Sequence, residues 1–131
     1  MKLVYALLCD QAFLSIDRKV NIIGVFETIN AQTLPVTHYK FTLVGSVEPS
    51  SPKFKMAVDI VSEKSKTSIL REPQEREVSL PAGQATQHFN FIIDILNTSF
   101  NEVGKYEVRL LIDGKVISEL PLTVARTELV N

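Results

Sequence analysis

The sequence predicts an all-β fold in which two antiparallel sheets of about eight strands pack face to face as a sandwich. Short apolar segments rich in Val, Ile, Phe and Tyr recur along the chain, and clusters of Pro, Gly, Asp and Ser separate them. No amphipathic helix pattern of useful length competes with these segments. The predicted strands are Leu3–Asp10, Val20–Ile29, Tyr39–Glu48, Lys55–Ser62, Glu75–Leu80, Gln87–Leu96, Lys105–Ile112 and Val116–Val124.

The composition is typical of a globular protein, and the length predicts a single domain over residues 1–131. Hydrophobic residues make up 45% of the chain and charged residues 22%, whereas a disordered chain would carry fewer apolar residues or more net charge. A chain of this length buries roughly two thirds of its unfolded surface, so it needs neither a metal nor a disulfide to fold.

The balance of charge predicts a protein that does not bind nucleic acid. Lys and Arg number 14 against 15 Asp and Glu, which gives a formal net charge of −1. Proteins that bind nucleic acid usually carry a basic excess, because contacts with phosphates supply much of their affinity.

The amino-terminal residues and the lone cysteine predict a cytoplasmic protein. Cys9 has no partner for an intrachain disulfide. The apolar run Leu3–Cys9 resembles a short signal peptide with a lipoprotein cleavage site. However, Asp10 ends the run early, and Leu8 stands where a peptidase requires a small side chain. No apolar stretch approaches the roughly 20 residues of a membrane span, so we expect neither export nor a membrane anchor.

Alternation along two predicted strands identifies the side chains that face the core. The inward residues of the first strand are Phe89, Phe91, Ile93 and Ile95, and its outward residues are His88, Asn90, Ile92 and Asp94. The inward residues of the second strand are Tyr106, Val108, Leu110 and Ile112. Residues 62–71 leave two alternatives open, a loop or one helical turn.

The last hairpin is predicted to close with a three-residue loop that ends at Gly114 in a positive φ. A two-residue loop, Asp113-Gly114, would place Val108 opposite Glu119, an apolar side chain opposite a charge. The three-residue loop instead pairs Leu110 with Val116, Val108 with Ser118 and Tyr106 with Leu120. Because a slip of one residue moves a whole strand face, the apolar match favours the longer loop with a glycine bulge.

The segment from Asn101 to Tyr106 resembles the corner that precedes a late strand in immunoglobulin-type sandwiches. In that corner a tyrosine hydroxyl bonds back to the backbone a few residues upstream. Val108 stands where antibody domains have their second cysteine, and the chain has no tryptophan. The resemblance implies an immunoglobulin-like sandwich without antibody-type chemistry.

A second resemblance covers most of the chain. It is carried by three stretches, KLVYALLCDQAF, KVNIIGVFETINAQTLPVTHYKFTLV and GKYEVRLLIDGKVISELPL. These stretches resemble a family of small bacterial proteins that is classed only as a domain of unknown function. The resemblance implies a bacterial β-sandwich that mostly stands alone, and it brings no activity, cofactor or functional residue.

No residue is predicted to be catalytic, to bind a cofactor or to ligate a metal. Cys9 lies in an apolar strand rather than beside a base, so we expect a buried structural thiol. His38 and His88 lack further ligands at metal-site spacing, and we expect them at surface or capping positions. A calcium site at loop ends is less favoured, because no Asp-x-Asp run links the scattered aspartates Asp10, Asp17, Asp59, Asp94 and Asp113.

The absence of a Gly-x-Ser-x-Gly elbow and of a phosphate-binding glycine loop further argues against an enzyme. Gly24 lies inside a predicted strand, where it marks either a bulge or a place at which a partner strand or ligand docks. Four apolar residues stand where a one-sided strand would carry polar groups: Leu7, Ile92, Leu111 and Ile117. If exposed together, they would form an association surface.

We therefore expect a non-enzymatic protein-interaction or assembly module, which associates with itself, most simply as a two-fold dimer, or with another protein. The alternative is a sandwich that binds a small ligand or carbohydrate through polar loop ends and an aromatic platform. The absence of tryptophan and the presence of only 3 tyrosines weigh against that alternative.

Overall fold

Nine β-strands and no helix make up the part of the chain that the computed structural model describes, residues 1–70, 74–81 and 87–127. The strands are β1 (Lys2–Leu14), β2 (Val20–Val25), β3 (Thr28–Ala31), β4 (Val36–Glu48), β5 (Lys53–Ser62), β6 (Gln74–Ser79), β7 (Phe89–Phe100), β8 (Gly104–Ile112) and β9 (Lys115–Arg126). Within these described ranges, no helix is long and apolar enough to cross a membrane.

The strands form two sheets, which confirms the predicted all-β, two-sheet architecture. Sheet A has four strands in the order β2-β1-β4-β7, and all of its neighbours are antiparallel. Sheet B has five strands in the order β3-β9-β8-β5-β6 and curls like half a barrel. The prediction of purely antiparallel sheets is wrong at one pair, because β3 runs parallel to β9.

The predicted strand Val20–Ile29 is wrong as a single element, because the chain changes sheet in its middle. The backbone N–H of Phe26 donates to the carbonyl of Leu8 in sheet A, at 3.1 Å. The carbonyl of the next residue, Glu27, accepts from the N–H of Thr123 in sheet B, at 2.8 Å. Two adjacent residues therefore complete the crossing, and each of them finds its partner far away along the chain.

The hydrophobic core lies between the sheets and contains the side chains that alternation assigned to it. Phe91, Ile93 and Ile95 of β7 are buried, while Phe89 at the strand's start is half-buried and packs against the core. The predicted inward residues of β8 are all buried: Tyr106, Val108, Leu110 and Ile112. These burials confirm the two inward faces.

The predicted three-residue loop of the last hairpin is wrong. The loop is Asp113-Gly114, with φ values of 49° and 80°, as a two-residue type I′ turn requires. The turn is held against β5, because the Asp113 carboxylate accepts from the N–H of Lys55 and the Asp113 N–H donates to the carbonyl of the same lysine, both at 2.9 Å.

A bulge in β9 supplies the apolar match that the longer loop was expected to provide. The register shifts between Leu110 and Leu111, so that Ile117 is left without a partner residue in β8. Beyond the bulge, Val108 pairs with Leu120 and Tyr106 pairs with Leu122. The apolar faces therefore align, with a shift opposite in direction to the predicted one.

The predicted tyrosine corner is present. The hydroxyl of Tyr106 donates to the backbone carbonyl of Glu102 at 2.7 Å. The Tyr106 ring packs edge-on against Phe100, with ring centroids 5.1 Å apart. Burial raises the pKa of Tyr106, so the hydroxyl stays protonated and keeps donating this bond at ordinary pH.

Replacing the corner tyrosine, Tyr106→Phe, is expected to lower the free energy of unfolding by about 0.5–1.5 kcal/mol, the usual contribution of one hydrogen bond. Urea denaturation measures the change. The matched control is Tyr39→Phe, because Tyr39 is 76% exposed, and a change within about 0.5 kcal/mol is expected there. Equal effects of the two substitutions would contradict a stabilising role of the corner.

Candidate interaction edge

The two sheets present four edge strands, and β7 is the longest of them. Its 12 residues compare with 6 in β2, 4 in β3 and 6 in β6. Within the described residues, β4 is the only strand that pairs with β7, and the backbone hydrogen bonds of turns and loops do not reach it. An open edge presents a row of N–H and C=O groups, which is a template for pairing with another chain.

The edges formed by β6 and β2 carry features that discourage pairing with another chain. The β6 strand is short and places three charged residues in a row, Glu75, Arg76 and Glu77. The β2 strand is interrupted at Gly24, whose φ is 73° and where a Cβ would clash with the Asp10 carboxylate. Short length, charge and backbone irregularity are the usual protections of a sheet edge.

The β7 edge has much less protection. Asn97, with a φ of 50°, breaks the regular conformation near its carboxyl end. Before that point, the regular stretch from Phe89 to Leu96 contains one charged residue, Asp94. We name this stretch the β7 edge. Its outward side chains are Asn90, Ile92, Asp94 and Leu96.

Apolar side chains continue from the β7 edge across the outer face of sheet A. Ile92 pairs with Val44 of β4, and Val44 pairs with Leu7 of β1. Val44 is fully buried, Leu7 and Ile92 are half-buried, and Leu96 is 52% exposed. The structure thus brings together two of the four apolar residues that the sequence singled out.

The other two residues of that set, Leu111 and Ile117, lie in sheet B and have different surroundings. Leu111 is half-buried on the outer face, in register with Val116. Ile117 is the bulge residue and packs against the core. The four residues therefore do not form the single association surface that the sequence suggested. Alternation could not separate them, because a bulge reverses which face a side chain occupies.

Asp94 is held in place by a buried neighbour. The hydroxyl of Thr42, which is fully buried, donates to Oδ1 of Asp94 at 2.9 Å. The Nζ of Lys40 lies 3.9 Å from the same oxygen. Among the described residues, these contacts leave Oδ2 without a partner, and the Asp94 side chain is 48% exposed. The carboxylate is therefore positioned on β7 while one of its oxygens stays open to a ligand.

Cys9 lies on the same outer face, in register with Thr42. It is fully buried, and its Sγ lies 3.8 Å from the Thr42 carbonyl. Burial raises the pKa of the Cys9 thiol, since desolvation disfavours the thiolate. This placement is that of a structural cysteine.

The two histidines lie in different surroundings and are not brought together. His88 is exposed, with its Nε2 3.1 Å from a carboxylate oxygen of Glu48. His38 is half-buried instead, with its ring 6.2 Å from that of Phe26 and 5.7 Å from that of Phe41. His38 pairs with Thr98 near one end of β4, whereas Glu48 ends that strand.

Of the remaining aspartates, three are engaged in hydrogen bonds. Asp17 accepts from the Ser15 hydroxyl, which lowers its pKa, and lies 3.2 Å from the Nζ of Lys19. Asp59 accepts from the Ser68 hydroxyl, and Asp113 holds the last turn. In the ranges that the structure describes, no three His, Cys, Asp or Glu residues gather in a way that could hold a metal ion.

A polar cleft beside the tyrosine corner bears on the small-ligand alternative. It has a volume of about 390 Å³ and is lined by Ser62, Ser65, Ser68, Ile69, Ser99, Asn101, Glu102 and Tyr106. Among the described residues, its only aromatic lining residue is Tyr106, whose ring is buried and whose hydroxyl is already bonded. Ser68 and Ser99 are engaged with Asp59 and Thr37. The cleft therefore offers no aromatic platform for a sugar ring.

Comparison with known proteins identifies a family but no activity. The pattern of a family described as Family of unknown function (DUF6941) matches residues 4–125, which confirms the resemblance to a domain of unknown function. No curated protein matches the sequence. Among solved structures, the chain is similar to Pseudomonas fluorescens alkylpurine DNA glycosylase AlkC bound to DNA containing an abasic site analog. That likeness has 10% identity and a TM-score of 0.45, and it covers 92% of this chain and 30% of that chain.

The prediction of a homodimer that avoids nucleic acid is contradicted by this comparison, since the similar structure is bound to DNA. At this TM-score the likeness does not carry DNA over to the present chain. The homodimer is therefore withdrawn, and the residues of the β7 edge are the features of this chain that bear on its ligand.

The burial of Cys9 leads to a testable pH dependence. In the native protein, the Cys9 thiol is expected to remain unmodified by a disulfide reagent. Over the same time, the thiol of the urea-unfolded chain is expected to react completely. Because burial raises the pKa of Cys9, any native reaction should begin to accelerate at a higher pH than that of the unfolded chain. The control is Val116→Cys combined with Cys9→Ala, since Val116 is exposed. A native Cys9 that reacts as fast as this control would contradict the buried placement.

Proposed function

This chain belongs to the Family of unknown function (DUF6941), and we propose that it is a non-enzymatic module that binds an extended polypeptide segment. The segment adds to sheet A as a further strand along the β7 edge. The observation that carries the proposal is the long, nearly uncharged backbone edge from Phe89 to Leu96. In strand addition, main-chain hydrogen bonds supply affinity and alternate side chains supply specificity.

The pairing and the packing of β7 support this function. The strand pairs with β4 at every residue except Asn97, from Val36 opposite Phe100 to Val47 opposite Phe89. Its inward side chains Phe91, Ile93 and Ile95 are buried in the core. An edge that is already paired with a neighbouring strand and packed on the core loses little conformational entropy when a ligand binds, so more of the interaction energy remains as affinity.

The side chains of the β7 edge offer contacts on both faces of an added strand. On the outer face, Ile92 and Leu96 would lie beside the new side chains, at the roughly 4.5–5.5 Å that separates cross-strand neighbours. On the core side, Phe89 is half-buried at the margin of the hydrophobic core. An added strand with apolar residues would cover each of these partly exposed groups.

An immunoglobulin-like kinship and a cytoplasmic location remain expectations from the sequence. The tyrosine corner supports an immunoglobulin-like kinship, and the lone, buried Cys9 is compatible with a cytoplasmic location. Bacterial origin, a single domain and the lack of catalysis stay predictions.

A phage-displayed library of random 12-residue peptides, panned against the full chain, tests the function. We expect enriched peptides to be rich in β-branched residues. Hydrogen exchange followed by NMR should show that alternate amides from Phe89 to Leu96 become protected when a synthetic enriched peptide is added, because their outward N–H groups gain partners. Library selection that enriches no peptide, or peptides that protect β2 or β6 instead, would refute the proposal.

The substitution Ile92→Lys places a charge on the β7 edge and is expected to weaken peptide binding at least about tenfold, since edge charges block strand pairing. The matched control is Val116→Lys, which adds the same charge at an exposed position of sheet B. Circular dichroism melting of both variants checks that they are folded. Equal loss of binding in the two variants would count against the edge as the site.

A further inference from the structure

We infer that the bound segment carries a lysine or arginine facing Asp94, with an apolar residue two positions away on either side. This inference rests on the proposed function and specifies the chemistry of the partner. It is carried by the alternation of one acidic and two apolar side chains on the outward face of the β7 edge, Ile92, Asp94 and Leu96.

Asp94 has the geometry of an acceptor that is already positioned for a ligand. The bond from Thr42 and the proximity of Lys40 both involve Oδ1, and both residues lie on β4, on the side away from the open edge. Oδ2 has no partner among the described residues. A carboxylate accepts several hydrogen bonds at once, so an incoming cation can bind Oδ2 without displacing Thr42.

Lys40 does not fully neutralise this carboxylate. Its Nζ lies 3.9 Å from Oδ1, which is longer than the 2.7–2.9 Å of a charge-assisted hydrogen bond. Both side chains are partly exposed, so water screens their attraction. A basic side chain from an added strand would approach Asp94 from the side opposite Lys40. It would form an ion pair with the carboxylate charge that Lys40 does not neutralise.

The apolar neighbours set the spacing of the rest of the partner's pattern. Side chains two positions apart on a strand share a face. Partner residues beside Ile92 and Leu96 are therefore two positions before and after the one that faces Asp94. An apolar-x-basic-x-apolar pattern in an extended segment satisfies all three positions.

A second copy of β7 does not match this chemistry. The strand contains no lysine or arginine, and its one charged side chain is again Asp94. Two such edges would bring acidic and apolar groups together without a basic partner for either carboxylate. The match is to a segment from a different molecule, with a basic residue between apolar ones.

Three nine-residue peptides test the inference: TTVTKTVTT, and the same sequence with glutamine or glutamate at its centre. Fluorescence anisotropy of labelled peptides measures the dissociation constants for the full chain. We expect the lysine peptide to bind up to about fivefold more tightly than the glutamine peptide, and the glutamate peptide to bind most weakly. Raising the salt concentration should reduce these differences.

Two variants connect the preference to Asp94. Asp94→Asn keeps an oxygen for the Thr42 hydroxyl and is expected to abolish the differences among the peptides, whereas Asp94→Lys should reverse their order. The matched control is Glu77→Gln, which removes an exposed carboxylate from the β6 edge and should leave the order unchanged. If Asp94→Lys lowers the melting temperature severely, Asp94→Asn still decides.

The outcomes separate the inference from the proposed function. Three peptides that bind with equal affinity and protect the amides of β7 would overturn the basic partner and leave the edge function standing. Preference for the glutamate peptide would also overturn it. If enriched library peptides fail to protect β7, the proposed function itself falls, whatever the charge of the nine-residue peptides.

Discussion

The register between β4 and β7 is the constraint on which the rest of the structure depends. It pairs Phe41 with Ile95 and Leu43 with Ile93, and so gathers the inward side chains of sheet A on the core face. The same register places Thr42 beside Asp94 on the outer face. A slip of one residue would expose the core side chains and separate that hydrogen-bonded pair. The register that packs the core therefore also sets the position of Asp94 on the β7 edge.

The strand order of sheet A makes β7 the candidate edge. Because β4 is the only strand that pairs with β7 in the described part of the chain, sheet A ends at β7. The core holds the inner face of this strand, and among the described residues no second strand pairs with its backbone. A rigid edge with one charged residue is an aggregation hazard when it has no partner. Addition of a polypeptide strand would use the same unpaired backbone groups.

Local patterns in the sequence predicted the parts of the fold that depend on nearby residues. The alternation in β7 and β8 identified their inward faces, and a six-residue segment identified the corner at Tyr106. Alternation failed at Phe26 and Ile117. The strand that crosses between sheets at Phe26 keeps an apolar pattern on both sides of the crossing, and its hydrogen bonds go to Leu8 and Thr123. The bulge at Ile117 and the longer loop both restore apolar pairing, so pattern alone could not choose between them.

By itself, the sequence determined the strand-rich fold and the side chains that enter the core. It also determined that the segment from Phe89 to Phe100 has one charged residue. Alternation between residues i and i+2 is a local property of the chain, so it can be read without knowing which strands are neighbours. Only the tertiary structure decided that β7 is an edge, that Ile92 joins Leu7 through Val44, and that Thr42 orients Asp94. Strand order rests on contacts between residues far apart in the chain, and no local pattern encodes them.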